Sequence, residues 1–200
     1  VSDLAATLYL IRHGETDWNV EGRLQGTRDI PLNANGRSQA ARNGATLARL
    51  FAEHGLGEAD FNWIASPMIR ARTTMEILRG EMGLDPANYA TNPVLREVSF
   101  GQWEGETLPE VKQRDPDGHA ARKRDKWGFV PPEGESYEML SHRVRPWLNG
   151  LNRPTVCVAH GGITRVVRGM LEAIPTAEIP VALIPQDQIY VWRDGRAQWV

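Results

Sequence analysis

The sequence predicts an α/β fold. The form is a three-layer αβα sandwich, a mostly parallel central sheet flanked by helices, with an insertion over the C-terminal edge of the sheet. Three observations predict it. Leu8-Tyr9-Leu10-Ile11 and Val156-Cys157-Val158-Ala159 are short, wholly apolar runs, the pattern of strands buried on both faces. Helical patterns alternate with such runs along the chain. Both runs stop at a His-Gly dipeptide, His13-Gly14 and His160-Gly161. In open parallel sheets, ligands bind beyond the carboxyl ends of the strands.

The remaining elements follow in order. Ala41, Ala45, Leu47, Ala48 and Phe51 recur at helical spacing within 35–53. Trp63-Ile64-Ala65 reads as a second short strand. Ser66-Pro67 then reads as an N-cap and first helical residue, opening a helix that carries Met68, Ile69, Ala71, Met75 and Leu78. Residues 136–148 and 163–171 predict two more helices. Ile189-Tyr190-Val191-Trp192 and Ala197-Gln198-Trp199-Val200 predict a closing hairpin around Asp194-Gly195. The stretch 100–135, rich in Gly, Pro and charge, is too long for a plain connector. It is expected to carry short helices near 108–114 and 118–126. The chain is expected to form a single domain, 1–200, with 98–135 as a substrate-covering insertion.

Composition narrows the function. A formal charge of −2 argues against a dedicated nucleic-acid binder. The single cysteine excludes a disulfide framework and a Cys-rich zinc site. No apolar run approaches the ~18 residues of a membrane span. The start, Val-Ser-Asp, shows no apolar signal-type segment. The expectation is a cytoplasmic protein, monomer or homodimer, without nucleic-acid or membrane partners.

Chemistry concentrates at the strand ends. Arg12 adjoins His13, and Arg70 lies in the first turns of the helix after the second strand. All can aim at the crevice that His13 and His160 face. Arginine forks match phosphate oxygens, and helix N-termini after Gly14, Ser66 and Gly162 would add backbone donors. A lone strand-end histidine is more often structural. Two in one context, each with a candidate arginine, outweigh that reading. Cys157 is expected to pack within its strand.

These residues carry a resemblance. The run Arg12-His13-Gly14-Glu15-Thr16-Asp17-Trp18-Asn19 resembles the signature of the histidine phosphatase superfamily, in its phosphoglycerate mutase-like branch. Arg23-Leu24-Gln25-Gly26, Ser66-Pro67-Met68-Ile69-Arg70-Ala71-Arg72-Thr73, Leu95-Arg96-Glu97, Pro132-Glu133-Gly134-Glu135-Ser136 and Val158-Ala159-His160-Gly161-Gly162 continue the likeness in order.

The resemblance implies roles. His13 would be the nucleophile of a covalent phosphohistidine, its second ring nitrogen donating to the Gly14 carbonyl. Arg12, Arg70 and His160 would hold the phosphoryl oxygens, with Asn19 and a backbone N–H near Gly161 as neutral donors. Glu97 would serve as general acid, then general base. No metal or cofactor is implied. The implied activity is a phosphomonoester hydrolase of histidine acid phosphatase type, acting on a small phosphorylated metabolite. Leu24-Gln25-Gly26, a short segment from Glu97 to Ser136 and Pro-Glu-Gly-Glu-Ser resemble the phosphatases. The alternatives are a cofactor-dependent phosphoglycerate mutase and a non-catalytic phospho-ligand-binding protein. Arg122, Lys123 and Arg124 resemble the basic residues that mutases place on a substrate carboxylate. Gln25, Gly26, Trp103 and Arg122, with Trp127 and Phe129, are the expected contacts to the leaving group.

Overall fold

The structure, a computed structural model, describes residues 4–200. Val1, Ser2 and Asp3, included in the expected domain, lie outside the described residues. Among the described residues, six strands form one sheet in the order β3-β2-β4-β1-β5-β6. They are β1 (Leu8–Arg12), β2 (Asn62–Ala65), β3 (Ala90–Thr91), β4 (Thr155–Ala159), β5 (Ile189–Arg193) and β6 (Arg196–Trp199). The pairs β1–β4, β2–β4 and β2–β3 are parallel, whereas β5 and β6 run antiparallel as the closing hairpin. Asp194 and Gly195 both take positive φ (52° and 71°), as the tight turn between twisted strands requires.

Side-chain alternation along the central strands divides the core. Leu8, Leu10, Cys157, Ala159, Tyr190 and Trp192 face α6 (Tyr137–Asn149) and α7 (Gly161–Glu172). Tyr9, Ile11, Val156, Val158, Ile189 and Val191 face α2 (Ala34–His54) and α3 (Ile69–Glu81). Both faces are therefore dry, which is why β1 and β4 read as continuous apolar runs rather than alternating ones. Each large aliphatic side chain so buried contributes about 1.5–3 kcal/mol.

Three local expectations change. A four-residue helix, α1 (Asp17–Val20), follows β1 and is closed by a capping box between Thr16 and Asn19. Strand β3 has only two residues, too few for a periodic signal. Ser66 and Pro67 stand outside α3, which begins at Ile69 after Met68. Ser66 is not a helix cap because its hydroxyl lies 2.7 Å from His160 Nε2.

The stretch 98–135 carries α4 (Leu108–Arg114) and α5 (Pro116–Arg124). Backbone bonds from Leu24 to Glu106 and from Gly105 to Leu24 dock it on the loop after α1. The Glu104 carboxylate accepts from the Thr27 N–H (2.8 Å) and the Phe100 N–H (3.2 Å), clasping the two segments.

Candidate active site

Sheet register brings the site together. Arg12 on β1 pairs with Ala159 on β4, so His13 and His160 leave adjacent strands side by side. The His13 N–H donates to the Ala159 carbonyl, and the two imidazoles meet edge-on with centroids 5.1 Å apart. The loop after His13 seats against α2 through paired glycines. A Cβ on Gly14 would stand 2.2 Å from the Gly36 carbonyl oxygen, and one on Gly36 would stand 2.1 Å from that of Glu15. No larger residue permits that approach.

His13 is buried, and its Nδ1 lies 2.7 Å from the Gly14 carbonyl. A carbonyl only accepts, so the neutral ring carries its proton on Nδ1 and bares a lone pair on Nε2. Arg70 Nε donates to that nitrogen at 3.2 Å. The rest of the Arg70 fork donates to the carbonyls of Arg28 (2.7 Å) and Gly26 (2.9 Å), which fix a fully buried guanidinium. Arg12 donates to the Ile184 carbonyl at 2.7 Å, while its buried Nε has no acceptor among the described residues. Among the described residues neither arginine forms an ion pair with a carboxylate. Burial, then neighbouring Arg165, lowers Arg12 to about 10, so it stays charged at neutral pH.

Burial and the adjacent Arg70 and Arg12 hold His13 well below the usual histidine range. Burial and Arg70, with His13 and Arg12, do the same to His160. Both rings are neutral at pH 7. This fixes a sign for stability. Below about pH 6.5 the unfolded chain takes up protons that the folded chain refuses. Stability is therefore full above that pH and is lost as the pH falls toward the folded values. Urea unfolding at pH 7.5 and 5.5 is expected to show a loss of about 1.4 kcal/mol for each histidine. A flat profile would contradict two buried neutral rings.

The cavity at these strand ends is about 210 Å³ and is lined by Arg12, His13, Asn19, Gln25, Arg70 and Glu97 among others. Gly26 and Gly161 also line it, whereas His160, expected to face it, is fully buried beside His13 and is not among the lining residues. Asn19 Oδ1 accepts from the Thr16 N–H and from Gln186 Nε2, which leaves its amide N–H donors for the cavity. Both Glu97 oxygens lie 3.1 Å from the Gly162 N–H at the start of α7, and Oε1 also takes the Val98 N–H at 2.9 Å. A Cβ on Gly162 would sit 2.3 Å from Glu97 Oε1, so the carboxylate rests where only glycine leaves room.

Several expected positions differ. Of the three helix N-termini, only that of α7 reaches the cavity. The Ile69 N–H of α3 goes to Asp29 at 2.6 Å, and Gly14 precedes only the four-residue α1. Trp103 is not in the wall: it is fully buried, donates to Asp115 at 3.2 Å and stacks on Phe129 at 5.2 Å. Trp103 is the buried partner of this stack, and Phe129 stays half-buried over it. Trp127 likewise packs against the core. Arg122 does not line the cavity but stands behind it, within electrostatic reach of Tyr137 and Arg165. Sequence reasoning missed Tyr137 and Arg165, which do line the cavity, and Gln186, which braces the site through the His13 carbonyl (3.0 Å). Arg165 lies one helical turn past Gly161, a spacing that offered a signal; Tyr137 and Gln186 offered none.

Fold and site together describe an α/β protein with two histidines and two arginines brought together at its strand ends. The profile of the histidine phosphatase superfamily (branch 1) matches residues 8–199. The chain belongs to that superfamily. It is 31% identical to the glucosyl-3-phosphoglycerate phosphatase of Mycolicibacterium vanbaalenii, over 87% of this chain and 77% of the relative. It is 29% identical to the 2,3-bisphosphoglycerate-dependent phosphoglycerate mutase of Methylocella silvestris, over 86% and 84%. The crystal structure of the alpha-ribazole phosphatase from Shigella flexneri superposes with a TM-score of 0.79 at 25% identity, covering 96% of this chain and 93% of that one. Its relatives thus include both phosphatases and mutases. Among the described residues, no helix is long and apolar enough to cross a membrane. Nor does any group of three or more His, Cys, Asp or Glu converge as for a metal ion.

Proposed function

We propose that the chain is a metal-independent phosphomonoesterase acting on a small phosphorylated metabolite. One observation carries the reading: a neutral His13, its Nδ1–H held by the Gly14 carbonyl, turns Nε2 into a cavity lined by Arg12 and Arg70. His13 Nε2 attacks phosphorus in line, and the bond from phosphorus to the ester oxygen breaks. Glu97 delivers a proton to that oxygen, so an alcohol leaves. Arg12, Arg70, His160 and Asn19 bind the phosphoryl oxygens, and Gly161 supplies backbone at the mouth of α7. Water then gives a proton back to Glu97 and attacks the phosphohistidine. The N–P bond breaks, releasing inorganic phosphate and a neutral ring.

A cavity of about 210 Å³ suits a phosphoryl group and little more. It is smaller than the roughly 300–1,000 Å³ of clefts that enclose drug-sized ligands. The leaving group therefore extends past Gln25, Gly26, Val98 and Phe100 toward solvent, which suits water as the acceptor. The test is hydrolysis of p-nitrophenyl phosphate with EDTA present, with acid-quench trapping of labelled enzyme. Chelator-insensitive turnover and an acid-labile, alkali-stable phosphoenzyme are expected. Activity that EDTA abolishes would overturn the reading.

One observation favours mutase chemistry as the second reading. Arg165 on the cavity wall and the half-buried Arg122 behind it form no ion pair with a carboxylate among the described residues, so they could meet a second anionic group on the substrate. Interconversion of phosphoglycerates faster than their hydrolysis would establish that reading instead.

A further inference from the structure

We propose that Ser66 is a positioning residue that holds His160 with its proton on Nδ1, so that the ring donates a hydrogen bond to the phosphoryl group without being protonated. The proposal rests on the phosphoryl-transfer reading above. It gives a role to the serine that directly follows β2: the register Ala65↔Val158 sets Ser66 beside the end of β4, and its N–H donates to the Val158 carbonyl at 2.9 Å.

The hydrogen-bond inventory decides the direction of the Ser66–His160 contact. Both residues are fully buried, and Ser66 Oγ stands 2.7 Å from His160 Nε2. Among the described residues, the other partner of this oxygen is the Met68 N–H, a donor, at 3.4 Å. The hydroxyl proton therefore has one acceptor, Nε2. His160 Nδ1 is buried and has no hydrogen-bond partner among the described residues. Were Nε2–H the donor, both the serine proton and the Nδ1 lone pair would be left unmatched in the interior. With serine as donor, only the Nδ1–H is unmatched. Each unmatched buried group is costly, so the second arrangement wins.

The two histidines then carry their protons on the same atom and present opposite edges. The Gly14 carbonyl takes the His13 Nδ1–H and leaves Nε2 bare to attack. Ser66 fills the His160 Nε2 and leaves an N–H to bind oxygen. A bare lone pair at that point would repel a phosphoryl dianion. Together with the unpaired Arg12 Nε, the Nδ1–H makes a second buried donor without a protein acceptor at the end of the central strands. The arrangement assigns the covalent step to His13 alone.

The test uses ¹⁵N-histidine-labelled protein without ligand, read by long-range proton–nitrogen correlation at pH 7.5, with His160 identified by its loss in His160→Gln. A protonated Nδ1 and a bare Nε2 are expected in the parent chain. Ser66→Ala should move His160 toward the Nε2–H form and lower kcat about 10–100-fold. Its residual activity should move to lower pH, because the ring must then be protonated to donate. Ser66→Thr, which keeps the hydroxyl, should restore both the ring signature and the pH profile. An Nε2–H signature in the parent would overturn the proposal. So would a Ser66→Ala protein whose ring signature and pH profile match the parent. Because the ring signature is read on unliganded protein, it decides this proposal separately from turnover, whose absence would overturn the phosphatase reading.

Discussion

His13→Ala is expected to lower kcat/KM for any phosphomonoester by at least about 10⁴-fold and to abolish the labelled phosphoenzyme. Removing a covalent nucleophile costs on the order of 10⁶-fold in well-studied hydrolases, and the residue left comes from binding and electrostatic stabilisation. Here that remainder is unusually well defined. Without His13, Arg70 loses one bond but keeps those to the Arg28 and Gly26 carbonyls, and Arg12 keeps its bond to the Ile184 carbonyl, so both guanidiniums should stay in place. The variant should therefore still bind inorganic phosphate. The same substitution removes one of the two buried neutral rings, so the loss of stability between pH 7.5 and 5.5 should fall by about half. Steady-state turnover, acid-quench labelling, phosphate titration and urea unfolding on one preparation check these four effects. Turnover above about one per cent of the parent would place the nucleophile elsewhere and sink the mechanism.

Much of this site was legible because strands that end together in space also end alike in sequence. Leu8 to Ile11 and Val156 to Ala159 are apolar without interruption, and each stops at a histidine; register then makes neighbours of residues far apart in the chain. Arg70 was legible from its place soon after β2. What escaped depends on contacts that no local pattern encodes. Ser66-Pro67 has the chemistry of a helix start, but the hydroxyl is claimed by His160 and the helix opens later, at Ile69. Trp103 resembles a wall residue by proximity to Glu97, yet the hydrophobic gain of stacking on Phe129 turns it inward. Tyr137 and Arg165 reach the cavity from α6 and α7, joined by an Arg165 Nη1 to Tyr137 hydroxyl bond of 3.2 Å. That meeting is set by helix packing, not by either segment alone.

Glu97→Gln should separate the two half-reactions. An amide cannot supply a carboxylic proton, so esters with poor, alkoxide leaving groups should lose about 10²–10⁴-fold in kcat/KM. p-Nitrophenyl phosphate has a leaving group that departs without a proton, so its first step should be nearly unaffected. The second step still needs a base to take a proton from water. Phosphohistidine should therefore accumulate, seen as a burst of one equivalent of nitrophenol followed by slow turnover. Geometry supplies an independent route to the same result. The carboxylate is placed by the Gly162 N–H at 3.1 Å and by the space that glycine leaves, where a Cβ would stand 2.3 Å from Oε1. Gly162→Ala must push Glu97 aside while keeping its carboxyl group and leaving His13 in place, and should reproduce the burst. Rapid-quench measurement of both variants checks this. A Glu97→Gln enzyme that slows both substrates equally and shows no burst would remove Glu97 from proton transfer. The acid would then have to be sought among the neighbouring carboxylates. Glu104 is committed to Thr27 and Phe100, and Glu15 to the Asn33 amide at 2.9 Å, so neither could serve without breaking the clasp that holds the cavity loops.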